Sequence, residues 1–140
     1  MPLLDQVLEK NPQTVKIVFK NFPIRSHKFA FKAAVAALAA DRQGKFWEFH
    51  DELFKNHKNL NEKKIEEIAS QLKLNKAKFE KDREDPLLLE KVKHDFNEGI
   101  KAGVNAVPMV FVNGRKLKKR SLQGFQELID KELNTLKIKK

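Results

Sequence analysis

Hydrophobic positions recur at helical spacing along most of this chain and at strand spacing in only two places. Residues 2–10 carry apolar side chains at Leu3, Leu4, Val7 and Leu8, the repeat of one helix face, and Asn11-Pro12 ends that pattern. Residues 14–19, Thr-Val-Lys-Ile-Val-Phe, are β-branched and aromatic and predict a strand, closed by Phe22-Pro23. Ser26 is placed to cap a helix over about 27–42, whose seven alanines (30, 33, 34, 36, 37, 39 and 40) let neighbours approach closely before Gly44 breaks it. A helix over 45–56 puts Phe46, Phe49, Leu53 and Phe54 near one stripe. Asn61 caps the next, over about 62–72, with Ile65, Ile68, Ala69 and Leu72 inward; Lys64 stands where the acid of a capping box would be. Asn75 caps a short helix to about 82 that carries Phe79. Asp85-Pro86 opens a longer one to about 102, with proline suited to the first turn and Gly103 ending it. Ser121 caps a last helix, about 122–136, with Leu122, Phe125, Leu128, Ile129 and Leu133 inward.

The second strand signal is the stretch the chain is organised around, Gly103-Val-Asn-Ala-Val-Pro-Met-Val-Phe-Val-Asn-Gly114. Met109–Val112 reads as a buried strand, Asn113-Gly114 as a two-residue hairpin turn, and Arg115–Leu117 as the return strand. Pro108 stands at the start of the first strand, where a missing ladder donor is tolerated; by itself this stretch allows either a trans or a cis Val107–Pro108 bond.

Composition fits one domain spanning residues 1–140: hydrophobic residues make up 41%, with eleven Phe and one Trp, enough for a core. The longest mostly apolar run, Ala33–Ala40, is far too short to span a bilayer, and the N-terminus lacks the basic-then-apolar pattern of an export signal. There is no cysteine, which excludes disulfides, thiolate catalysis and cysteine metal sites for these residues. The formal charge of +10 favours acidic partners in a salt-dependent way, but no aromatic-basic interleaving or groove-reading motif points to nucleic acid.

The order of elements and four stretches together resemble the DsbA-like branch of the thioredoxin superfamily, the extracytoplasmic thiol:disulfide oxidoreductases. The stretches are Val15-Lys-Ile-Val-Phe-Lys-Asn-Phe-Pro23 with His27; the Ala-rich helix leading into Gln43-Gly-Lys-Phe-Trp-Glu-Phe-His50; Gly103–Gly114; and the closing amphipathic helix. The resemblance covers nearly the whole chain. It implies an α/β, thioredoxin-like (DsbA-type) fold with a helical insertion at about 27–102. Members begin with a strand and a Cys-x-x-Cys, whereas Met1-Pro-Leu-Leu-Asp-Gln-Val-Leu resembles the helix just after those cysteines. The expectation is a domain truncated at its N-terminus, without the first strand and the start of the active-site helix. Met109 stands where the family usually has Thr, and Ala106 where Gly is common.

The resemblance also implies a function. Gly103–Gly114 corresponds to the cis-proline loop and hairpin, so Val107 and Pro108 are the expected substrate-binding residues, contacting an extended or unfolded client peptide. No catalytic residue, metal or cofactor is expected, and the chain as given is expected to be redox-inactive. The alternative is a non-catalytic binding or assembly module that uses the same groove. A strand lacking from the middle of such a sheet leaves edges that recruit other chains, so a homo-oligomer or strand exchange is also expected. The resemblance implies export while the residues show no export signal, so compartment stays open.

Other candidate chemistry is thin. His27, His50, His57 and His94 are the histidines; His50 and His57 with Asp51 and Glu52 form a conceivable metal set, against the plainer reading of boundary histidines. Glu48, Asp51 and Glu52 read as a solvated face, and Trp47 with the Phe stripe as core. Five of the six residues Arg115–Arg120 are basic, which reads as a charged hairpin edge or as a binding patch.

Overall fold

The computed structural model describes residues 2–139, with side chains to residue 137; Met1 and Lys140 lie outside the described residues. Seven α-helices run in chain order: α1 Pro2–Lys10, α2 Ala30–Asp41, α3 Phe46–Lys55, α4 Glu62–Gln71, α5 Lys76–Arg83, α6 Pro86–Lys101 and α7 Leu122–Lys139. A 3₁₀ turn, His57–Asn59, separates α3 from α4. Between α6 and α7 lies a hairpin of β1 Phe111–Val112 and β2 Arg115–Lys116. The chain divides into two compact units, one made of the chain up to Phe19 and from Val104 onward, the other of Lys20–Gly103.

The Lys20–Gly103 unit is helical and built around α2. Ala33 and the continuous run Val35–Ala40 are all buried, so this helix is apolar on every side and packs against α3, α4, α5 and α6. Its alanines bring those four helices close. Phe49 and Phe79 fill the space around them, fully buried with ring centroids 5.6 Å apart. Burial of each such ring contributes about 1.5–3 kcal/mol. The expected caps form: the side chain of Asn61 accepts from the Lys64 amide at 2.8 Å, Asn75 from Lys78 at 3.0 Å and Asp85 from Leu87 at 3.0 Å.

Three sequence expectations in this unit need correction. α2 starts at Ala30 after Phe29, which makes no side-chain cap bond, so Ser26 is not its cap; residues 24–29 form turns instead, His27 donating its amide to the Ile24 carbonyl at 3.0 Å. Phe54 is 61% exposed, because the α3 stripe is completed by Phe49 and Leu53 and Phe54 rotates past it to lie on the His50 ring, 4.6 Å away. Trp47 is 45% exposed at the rim of that helix, edge-on to Phe46, rather than in the core.

The other unit packs α1 and the hairpin against α7. Its centre is Val7, Leu117, Phe125 and Ile129, flanked by Leu3, Leu4, Val15, Val110, Val112, Leu122, Leu128 and Leu133. Residues 14–19 depart from expectation. Val15 and Ile17 turn partly inward and Lys16 and Val18 outward, the alternation of a strand, but no ladder forms there. β propensity makes a segment extended; a strand also needs a neighbouring backbone, and among the described residues the only ladder is β1 with β2.

Candidate functional site

Two residues past the end of α6 stands Gly103, whose φ of +83° turns the chain away from the helix in a conformation that only glycine adopts without cost. From Val104 to Val110 the backbone has no regular structure. The Val107–Pro108 bond within it is cis. Val107 is 42% exposed, Ala106 and Pro108 are exposed as well, and among the described residues the amide and carbonyl of Val107 make no hydrogen bond. Two residues further on the backbone is fixed: the Val110 carbonyl accepts from the Leu117 amide at 2.9 Å, and the ladder continues as Phe111 opposite Lys116 and Val112 opposite Arg115. The turn is Asn113-Gly114, with φ of +47° and +80°, the two positive values that a two-residue hairpin requires.

The hairpin is held from beneath and from its far side. Val110, Val112 and Leu117 pack on Phe125 and Ile129 of α7. Arg115 pairs through Nε with Glu132 Oε1 of the same helix. Ser121 Oγ accepts from the Gly124 amide at 3.0 Å, the expected cap, while the Ser121 amide donates to the Lys119 carbonyl at 3.0 Å. A Cβ on Gly124 would overlap that carbonyl oxygen, so the glycine lets the turn 118–120 lie directly on the first turn of α7. The result is an exposed, unengaged stretch of backbone at Val107 presented by a fixed support, which is what an extended peptide needs in order to pair edge to edge.

The histidines do not assemble a second site. His50 is 3% exposed with Nδ1 3.4 Å from Asp51 Oδ1, and burial pushes its pKa below the usual range while Asp51 opposes the shift. His57 is exposed, its Nδ1 2.8 Å from the Phe54 carbonyl. His94 is on the surface beside Glu98, at 3.2 Å. Among the described residues no group of three or more histidines, aspartates and glutamates could hold a metal ion. Val107 and Pro108 do lie together on one exposed loop. Arg115–Arg120, read from the sequence as a charged hairpin edge or a binding patch, begins on the return strand, with Arg115 opposite Val112 and Lys116 opposite Phe111.

Three comparisons bear on this arrangement. A family model described as "Thioredoxin" matches residues 2–131. A probable disulfide bond formation protein D from Bacillus cereus is 34% identical over 128 residues, covering 85% of this chain and 58% of that protein. An Na(+)/H(+) antiporter NhaA from Herminiimonas arsenicoxydans is 34% identical over 86 residues, covering 61% of this chain and 14% of that protein. The chain thus spans under two thirds of the length of either relative. In structure, a thioredoxin-like oxidoreductase from Silicibacter pomeroyi DSS-3 superposes with a TM-score of 0.81 at 24% identity, over 96% of this chain and 77% of that one. That likeness establishes a thioredoxin-like fold, here mostly helical with a small two-stranded sheet. The chain belongs to the thioredoxin family.

Proposed function

We propose that this chain is a DsbA-type thiol:disulfide oxidoreductase domain that receives an extended client segment at Val107 and Pro108 but carries out no disulfide exchange by itself. Exchange proceeds through attack of a thiolate on a disulfide sulfur, and the 140 residues contain no cysteine to supply either partner. The observation that carries the binding half of the reading is the exposed backbone of Val107, which makes no hydrogen bond among the described residues. An amide and a carbonyl in that state are matched by the backbone of an added strand.

Two measurements test the two halves. In an insulin-reduction assay with dithiothreitol the purified chain gives no turnover above the blank; turnover from the chain itself overturns the redox half. In an amide NMR titration with an unfolded peptide, the shifts concentrate on Ala106, Val107 and Met109. Shifts confined to other residues, or none at all, overturn the binding half.

Self-pairing belongs to the same proposal. Lys16–Val18 has the alternating burial of a strand and lies outside any ladder among the described residues, so a second copy has backbone to pair with. Sedimentation that stays monomeric at every concentration contradicts it.

A further inference from the structure

An antiparallel hairpin ties the two ends of its strands together. Phe111 faces Lys116, Val112 faces Arg115, and the Leu117 amide reaches the Val110 carbonyl. Each step back along β1 toward Pro108 is therefore a step forward along β2 toward Arg120. Lys118 and Met109 leave the ladder at the same end. Antiparallel partners lie about 5 Å apart, so the basic turn begins within about 10 Å of Pro108, roughly one screening length at 0.1 M salt.

That turn is uncompensated and fixed. Lys116, Lys118, Lys119 and Arg120 are exposed, and none makes an ion pair among the described residues, whereas Arg115 is engaged with Glu132. From Val104 to Gln126 the sequence has no acid at all. The Lys119 carbonyl accepts from Ser121 and rests against Gly124, so the backbone that carries these cations is seated on α7. The loop itself, Ala106-Val-Pro-Met109, is uncharged. Backbone pairing there is indifferent to sequence, and the nearby charge is what discriminates.

We infer that the Val107–Pro108 loop selects client segments bearing acidic residues next to the paired stretch, with Lys118, Lys119 and Arg120 as the specificity-determining residues. This rests on the peptide-binding reading of that loop. An exposed ion pair contributes a factor of about 1.5 to 5. Three acting together give a preference on the order of tenfold at low salt, and screening to about 3 Å at 1 M salt removes it.

The test uses the full chain and three labelled peptides with one apolar centre, flanked by Glu, by Gln or by Lys. Affinity is read by fluorescence anisotropy and the contact by amide NMR. Expected is the order Glu over Gln over Lys, shifts at the Val107 amide, and loss of the order in K118E/K119E/R120E but not in the charge-matched K58E/K76E/K91E. If all three peptides bind equally with shifts at Val107, the inference is overturned and the peptide-binding reading stands. If the Glu peptide binds without shifts at Val107, or the control reversal abolishes the order equally, the selection is a property of overall charge and the inference is overturned. If no peptide binds the unaltered chain, the peptide-binding reading fails and takes the inference with it.

Discussion

Asn11 and Gln126 exchange a reciprocal pair of hydrogen bonds, Asn11 Nδ2 to Gln126 Oε1 at 2.9 Å and Gln126 Nε2 to Asn11 Oδ1 at 3.1 Å, joining the end of α1 to α7. Asn11 is 8% exposed and its Nδ2 also donates to the Val7 carbonyl at 2.9 Å. Asn11→Ala strips partners from polar groups that stay largely shielded, at a cost of about 1–3 kcal/mol. Urea denaturation should show the loss as a lower midpoint with an unchanged slope. Gln126→Ala in the Asn11→Ala background should cost less than it does alone, the signature of a shared interaction.

Two glycines separate steric from conformational cost. Gly114 has φ of +80° and nothing within 4 Å of where a Cβ would go, so Gly114→Ala meets only the backbone penalty of about 1–2 kcal/mol. At Gly124 no such conformational barrier arises, but its Cβ would overlap the Lys119 carbonyl oxygen. Backbone must move to admit it, so Gly124→Ala should be the more damaging change, at about 1–3 kcal/mol or above. Thermal unfolding of the two variants side by side decides the ranking.

Acid sensitivity should depend on Arg42. Its guanidinium contacts Asp82 Oδ1 at 2.9 Å and Asp85 Oδ2 at 2.8 Å. The Asp82 pKa lies below the usual 3.8, owing first to Lys78 and then to Arg42; that of Asp85 is lowered by the Leu87 amide and by Arg42. A carboxylate whose folded pKa is depressed contributes stability that is present above its unfolded pKa and lost as pH falls through the folded value. Arg42→Gln should therefore be less stable than the unaltered chain at neutral pH, and the gap should narrow below pH 3.8. A gap that stays constant down to the acid transition would count against these pairs as its source.

His50 predicts a second, milder limb. Burial lowers its pKa from the usual 6.5 despite the opposing carboxylate of Asp51. The unfolded chain takes up its proton first, so stability falls as pH drops from 6.5 toward the lower folded value and levels off beneath it. His50→Phe should remove this slope. Urea midpoints between pH 7.5 and the onset of the carboxylate transition provide the check.

The sequence made the helices and, apart from the Ser26 cap assigned to α2, their starts legible because those depend on nearby residues. Asn61, Asn75, Asp85 and Ser121 all accept the amide bonds that capping assigns them. Phe49 and Phe79 are buried as their periodicity requires. What depended on distant partners was read less well. Val15–Phe19 has the composition of a strand but lies beside no ladder, and Phe54 continues an apolar stripe beyond the point where other helices cover it. At the candidate site, Val107 and Pro108 follow from the family resemblance alone, and the basic run Arg115–Arg120 is legible in the sequence as a charged hairpin edge or a binding patch.

The long reach of Asn11 to Gln126, 115 residues apart in sequence, bears on how the molecule is made. The Lys20–Gly103 unit is continuous in sequence and α-helical, the kind of topology that folds fastest because few long loops must be closed. The other unit waits for its second half. During synthesis α1 emerges before the helical unit, and Val7 has no Phe125 or Ile129 to lie on until α7 has followed it. Once the helical unit has folded, it shortens the loop between the two halves and lowers the entropy cost of bringing α7 back to α1. Folding should proceed from the Lys20–Gly103 unit outward, with α1 translated before that unit and secured after it.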